Sequence, residues 1–179
     1  MTVDLTNQRE FLMSDADFEK ISELAYSYTG IVLGPQKRDM VYGRLARRLR
    51  DLKIQSVVDY IPLIQAHEQP EVSKFINAIT TNLTSFFRER HHFDFLAKTV
   101  CPEWMQTNSE NKKIRVWSAG CSTGEEPYSI AMTLRENLNL SAWDCKILAT
   151  DLDSKVIEKG QQGIYGIDRI ETLPIEQKK

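Results

Sequence analysis

Along residues 1–80 apolar side chains recur with the three- and four-residue spacing of one helix face. Phe18, Ile21, Leu24, Ala25 and Tyr28 form the first stripe. Ser14-Asp15-Ala16-Asp17 before it has the form of a capping box, and Gly30 after it is a helix stop. Gly34-Pro35 marks a turn, and a second helix is predicted from Gln36 to Leu52 on Val41, Leu45, Leu49 and Leu52. Ser56 to Asp59 repeats the capping form and opens a third helix, in which Pro62 predicts a kink. Pro70-Glu71 starts a fourth, with Val72, Phe75, Ile76 and Ile79 facing a core. Residues 1–80 read as a small helical bundle.

The run Thr80 to Ser85 is short and polar and predicts a loop. A helix follows from Glu89 to Val100 with Phe93, Leu96 and Val100 inside, then a linker from Thr107 to Lys113. Beyond it the pattern changes. Ile114–Ala119 predicts a strand, and Pro127–Leu138 a helix with Ile130, Ala131 and Leu134 on one face. Lys146–Thr150 predicts a second strand, and Ser154 caps a helix through Lys159. Strand, helix, strand, helix is an α/β arrangement with a parallel sheet, placed in residues 81–179. Parallel sheets need both faces covered, and a layer of two strands leaves surface bare. The sheet is therefore expected to be incomplete, its missing strands supplied by a longer chain or by another copy, with self-association of the chain as a consequence.

Composition changes this picture little. Of 179 residues, 41% are apolar and 27% charged, which excludes disordered and fibrous classes. No run approaches the ~18 apolar residues of a membrane span, and the polar stretch Met1 to Glu10 is not a signal peptide. The cytoplasm and no membrane insertion are the expectations. Cys101, Cys121 and Cys145 contain no C-x-x-C pair, so reduced thiols are expected rather than zinc or disulfides. His91-His92 lacks a carboxylate at ligand spacing, and no metal is expected. A net charge of −2 carries no global nucleic-acid signal.

The chemistry concentrates in Val116-Trp117-Ser118-Ala119-Gly120-Cys121-Ser122-Thr123-Gly124-Glu125-Glu126-Pro127-Tyr128-Ser129, a strand end, a loop of small residues and a helix start with Pro127 in the favoured first position. Small residues such as Gly120 let a ligand approach the backbone at the carboxyl end of a parallel strand. A phosphate-binding loop is excluded, because Gly120 and Gly124 are too close and Glu125 stands where lysine is needed. A dinucleotide fingerprint is absent. Two carboxylates suit a ligand that is adenosine-like yet cationic, and S-adenosylmethionine, with its sulfonium and α-ammonium, is such a ligand. Glu126 or Glu125 would take the ammonium; the competing reading is that both only complement the helix N-terminus. Asp151 ends the second strand, where an acid accepts both ribose hydroxyls, while Asp153 suits a helix cap. Arg88, beside Phe86-Phe87, would clamp a carboxylate if its loop folds over the sheet end.

Three stretches resemble the CheR family, the chemotaxis receptor methyltransferases of bacteria: Thr81-Asn82-Leu83-Thr84-Ser85-Phe86-Phe87-Arg88-Glu89, Arg115 through Ala131, and Ala149-Thr150-Asp151-Leu152-Asp153. The likeness runs from about Phe18 through Tyr165. It implies an α/β protein: a receptor-docking helical domain over residues 1–80, then, over 81–179, the first part of a Rossmann-like S-adenosylmethionine-dependent methyltransferase sheet, truncated at its C-terminal end. It implies methyl transfer from S-adenosylmethionine, leaving S-adenosylhomocysteine, to glutamate side chains of methyl-accepting chemotaxis receptors. By motif position Asn82, Thr84, Arg88, Glu126 and Asp151 are implied as cofactor contacts, with Arg88 near the transferred methyl as the catalytic residue. The alternative is a fragment that binds receptor or cofactor without methyl transfer.

The second helix is a candidate docking face. From Lys37 to Lys53 seven basic residues stand against Asp39 and Asp51, and Arg44, Arg47 and Arg48 share a face. The acidic methylation helices of receptors would complement it. A nucleic-acid partner needs interleaved stacking aromatics, and Tyr42 alone does not supply them.

Overall fold

The computed structural model describes residues 9–66, 70–108, 110–171 and 173–178. The chain divides into two compact units, Met1–Thr81 and Asn82–Lys179.

The first unit is all helical. Helix α1 spans Asp15–Thr29; the Ser14 hydroxyl accepts from the Asp17 N–H and the Asp17 carboxylate accepts from the Ser14 N–H, while Gly30 closes the helix at φ 72°. A short 3₁₀ turn, Pro35–Lys37, leads into α2, Arg38–Leu52. Helix α3 spans Val57–Gln65, capped by Ser56, and contains Pro62. Helix α4 spans Glu71–Ile79. Their apolar stripes meet in one core around Ile21, Ala25, Val41, Leu45, Leu49, Val57, Tyr60, Ile64 and Phe75, to which Phe11 and Met13 of the preceding segment add. Beside it, Arg48 grips Glu71 with two nitrogens, at 2.7 and 2.5 Å, and the Tyr60 hydroxyl donates to the same carboxylate at 2.7 Å. Burial alone would raise the Glu71 pKa, but the bonds from Arg48 and Tyr60 outweigh it and hold the carboxyl below the usual range. Burial and the hydrogen bond to Glu71 push the Tyr60 phenol up.

The second unit opens with a helical run that does not stop at Val100 as its pattern suggested. It proceeds from α5, His91–Phe95, through a π turn at Leu96–Val100 to α6, Cys101–Thr107. The reason is Pro102, whose ring would press on the carbonyl four residues earlier in a regular helix. The π turn widens the backbone just before it, with the Cys101 N–H bonded to the Leu96 carbonyl.

Strands β1, Lys113–Ala119, and β2, Asp144–Thr150, then pair in parallel with Lys113 opposite Asp144 and Ala119 opposite Thr150. Helix α7, Glu125–Asn137, crosses between them. Helix α8 spans Ser154–Gln162, with Asp153 rather than Ser154 as its cap, and short α9 spans Ile167–Ile170. Pro127 is the third residue of α7, not the first. There its missing N–H costs nothing, since the first-turn N–H groups have no helical acceptor. One sheet face packs Ile114, Val116, Cys145 and Ile147 against Cys101, Leu134 and Leu138. The other carries Trp117 and Leu148, 68% and 61% exposed. The α/β class and the incomplete parallel layer expected from counting elements are both present, consistent with the Rossmann-like sheet that the resemblance implies.

Candidate functional site

The two strands end side by side, and the Thr150 carbonyl accepts from both Gly120 and Cys121 N–H groups, at 2.8 and 2.9 Å. That pair of bonds turns the chain sharply. Gly120 adopts φ +84°, the left-handed region, and nothing lies within 4 Å of where a Cβ would stand. Its requirement is conformational, and the space above it is open. Gly124, at φ +97°, is required for a second reason: a Cβ there would meet the Tyr165 hydroxyl at 2.7 Å.

The two glutamates at the start of α7 have different fates. Glu125 is 1% exposed; its carboxylate accepts from the Thr123 hydroxyl at 2.5 Å and is ion-paired with Arg169. Glu126 is exposed and accepts one bond, from the Ser118 hydroxyl at 2.6 Å. Of the two, Glu126 presents the carboxylate free to meet a cation. Arg88 and Glu126 line one cavity of about 200 Å³ together with His92, Phe93, Leu96 and Ile130. The Arg88 guanidinium donates to the Leu83 carbonyl at 2.7 Å, which bends the loop back on itself.

Asp151 stands at the strand end, as expected, and is already engaged. Its carboxylate accepts from the Ser122 N–H at 2.8 Å and the Asp153 N–H at 2.9 Å. Asp153 accepts from the Lys155 N–H and from the Asn82 side-chain amide at 2.7 Å. The Ser122 hydroxyl donates to the Asn82 carbonyl at 3.4 Å. Asn82, Ser122, Asp151 and Asp153 thus form a closed ring of bonds at the ends of β1 and β2. Asp153, read from sequence as a cap and nothing more, also holds Asn82. Thr84 is present through its carbonyl, which accepts from Arg169 at 2.9 Å.

The donor set fits an adenosine-like cation. The loop from Trp117 to Ser129 contains no lysine or arginine to hold a phosphate, and it offers an open carboxylate beside open backbone. Burial, and after it the nearby Asp151 carboxylate, push the Cys121 thiol up, so it stays protonated and is not a nucleophile at neutral pH. Among the described residues no cluster of three or more His, Cys, Asp or Glu is arranged to hold a metal ion.

Comparison with known proteins decides the assignment. The family model of the CheR methyltransferase SAM-binding domain matches residues 82–179, and that of the CheR methyltransferase all-alpha domain matches residues 16–80. The chain belongs to the CheR methyltransferase family. The chemotaxis protein methyltransferase of Salmonella typhimurium is 46% identical over 92% of this chain and 55% of its own length. That of Escherichia coli is 46% identical over 92% of the chain and 56% of its own. That of Klebsiella aerogenes is 47% identical over 93% and 56%. The chain spans about half the length of the curated relatives it matches. S-adenosylmethionine is the cofactor of this CheR domain, and no helix among the described residues is long and apolar enough to cross a membrane.

In the helical unit the expected basic face is not free as a whole. Arg44 donates to the carbonyls of Ile79 and Thr80, at 2.7 Å each, and to the Thr81 hydroxyl at 2.9 Å. Arg48 is spent on Glu71. Both turn toward α4, Arg44 to the carbonyls at its C-terminal end and Arg48 to Glu71 at its start. Arg47 alone of the three is exposed.

Sequence reading missed Arg169 and Tyr165 as members of this site. Tyr165 donates to the Thr123 carbonyl at 2.7 Å and packs edge-on against Phe86, ring centres 4.8 Å apart. The one signal available was Glu125 itself: a second acid beside an open one implies a cation elsewhere in the chain.

Proposed function

We propose that this CheR chain carries the cofactor-binding and substrate-docking part of a protein-glutamate O-methyltransferase, which esterifies glutamate side chains of methyl-accepting chemotaxis receptors. The observation that carries the reading is the split fate of Glu125 and Glu126, which leaves a single open carboxylate in one cavity with Arg88. Glu126 holds the ammonium of the cofactor, Asp151 the ribose hydroxyls, and Asn82 and Thr84 are further cofactor contacts. When bound, S-adenosylmethionine supplies an electrophilic methyl group on its sulfonium.

What the chain must do for the reaction follows from the substrate. A glutamate, with a pKa of about 4.3, is already ionised at neutral pH, so no general base is needed. None is offered by Cys121, which is held protonated. The chain's task is alignment, which is worth about 7–11 kcal/mol when well made. Arg88, exposed at the mouth of the cavity, orients a carboxylate there, and Phe93, Leu96 and Ile130 keep the walls apolar. Arg47 contributes positive charge to the docking of an acidic receptor helix, and Arg44 and Arg48 hold α2 in place behind it. The protein works in the cytoplasm, where receptor methylation regions lie.

The test is transfer of radiolabelled methyl groups to receptor-bearing membranes, scored by release of volatile methanol in alkali, which distinguishes a glutamyl ester from an N-methyl product. Alkali-labile label supports the reading. Cofactor binding with no label would favour the non-catalytic fragment.

A further inference from the structure

We propose that Arg169 is a positioning residue that sets the loop Asn82–Arg88 against the start of α7. This inference rests on the assignment of Glu126, Thr84 and Arg88 to the cofactor site.

One guanidinium nitrogen of Arg169 donates both to the buried Glu125 carboxylate and to the Thr84 carbonyl. Those acceptors belong to segments far apart in sequence, and each adjoins a site residue. Glu125 is next to Glu126; Thr84 is four residues before Arg88. The Arg169 side chain is 43% exposed while the Glu125 carboxylate is nearly sealed. The arginine therefore closes over the acid from the solvent side. Glu125 would otherwise be a buried charge satisfied by one hydroxyl, from Thr123, which is costly.

Further bonds run through the same junction. The Phe87 N–H donates to the Ser129 hydroxyl at 2.9 Å, and that hydroxyl donates to the Glu125 carbonyl at 2.6 Å. Phe87 and Glu89 both have positive φ, 50° and 57°, conformations that ordinary residues adopt only when their surroundings impose them. The loop carrying Arg88 is thus held in an unfavourable backbone path, and the Arg169–Glu125 strut is the charged part of what holds it. A lysine would keep the ion pair, but its ammonium sits on a more flexible stem and holds the two acceptors less firmly than the guanidinium nitrogen does.

The test compares the unsubstituted chain with Arg169→Ala and Arg169→Lys. Hydrogen exchange is measured residue by residue without cofactor, and S-adenosylhomocysteine affinity by calorimetry. Expected for Arg169→Ala are faster exchange at the Phe87 amide, unchanged protection in β1, and a dissociation constant raised about tenfold, the worth of a single charge-assisted hydrogen bond. Arg169→Lys should fall between, and carries the test alone if the alanine variant does not fold. Unchanged exchange at Phe87 overturns the strut whatever the affinity does. Faster exchange with unaltered affinity overturns the link from strut to cofactor. Absence of measurable binding by the unsubstituted chain overturns the cofactor assignment itself, and is read from a different signal.

Discussion

At the residue scale, burial separates side chains that look alike in sequence. Glu125 and Glu126 are adjacent acids in the first turn of a helix, and one is sealed under an arginine while the other faces a cavity. Asp151 and Asp153 are a similar pair, and here the structure narrows the difference between them. Asp151→Ala removes the acceptor proposed for the ribose diol and should weaken cofactor binding by about 2–3 kcal/mol, or roughly 30- to 150-fold. Asp153→Ala should also weaken it, though less, because Asp153 holds Asn82 as well as capping α8. It should further cost about 1 kcal/mol of stability as a lost cap. Calorimetric titration and thermal melts of both variants check this; equal binding by Asp153→Ala and the unsubstituted chain would mean that Asn82 needs no holding.

At the element scale, α2 combines packing on one side with charge on the other. Its pattern made the helix and its buried stripe legible: Val41, Leu45 and Leu49 are all buried. Which arginines stay free was not legible, since helical spacing places Arg44, Arg47 and Arg48 together but does not say what α4 brings near them. Reversal of all three charges would therefore test folding as much as docking. Arg48→Ala should destabilise the helical unit by about 3 kcal/mol, since it strips a charge partner from Glu71, whose side chain is only 13% exposed. Arg47→Glu should leave the melting temperature unchanged and lower receptor methylation. Urea denaturation and the methylation assay separate the two effects.

The same cluster predicts an acid limit. Glu71 has its folded pKa depressed, so the stability it contributes is present above the ordinary carboxylate pKa and lost as pH falls through the lower folded value. Stability of the unsubstituted chain should therefore drop below about pH 4, and Glu71→Gln should remove that part of the dependence. An unaltered acid profile in Glu71→Gln would show that this carboxyl titrates alike in the folded and unfolded chain. The helix through Pro102 teaches a related lesson at this scale. A proline reads as a stop, but a π turn absorbs it, and nothing in local spacing signals which outcome the packing of Leu96 and Cys101 will select.

At the scale of the whole molecule, the α/β class, the parallel pairing and the bare sheet face followed from counting strands, because strand periodicity and glycine-rich turns are local signals. The ring of bonds through Asn82, Ser122, Asp151 and Asp153, and the strut from Arg169, were not legible, because they join residues distant along the chain. The exposed face with Trp117 and Leu148 should make the chain self-associate. Analytical ultracentrifugation is expected to give a concentration-dependent mass that Leu148→Lys reduces toward the monomer. A monomer at all concentrations would contradict this. The claim on which the functional account turns is that Glu126 offers the open carboxylate to a cationic cofactor. Glu126→Gln is the most direct probe, since among the described residues Glu126 accepts from Ser118 alone and its replacement should not disturb the fold. Calorimetric titration with S-adenosylmethionine should show affinity reduced by about tenfold or more, the worth of a hydrogen bond to a charged group, at an unchanged melting temperature. Affinity equal to that of the unsubstituted chain would contradict the account.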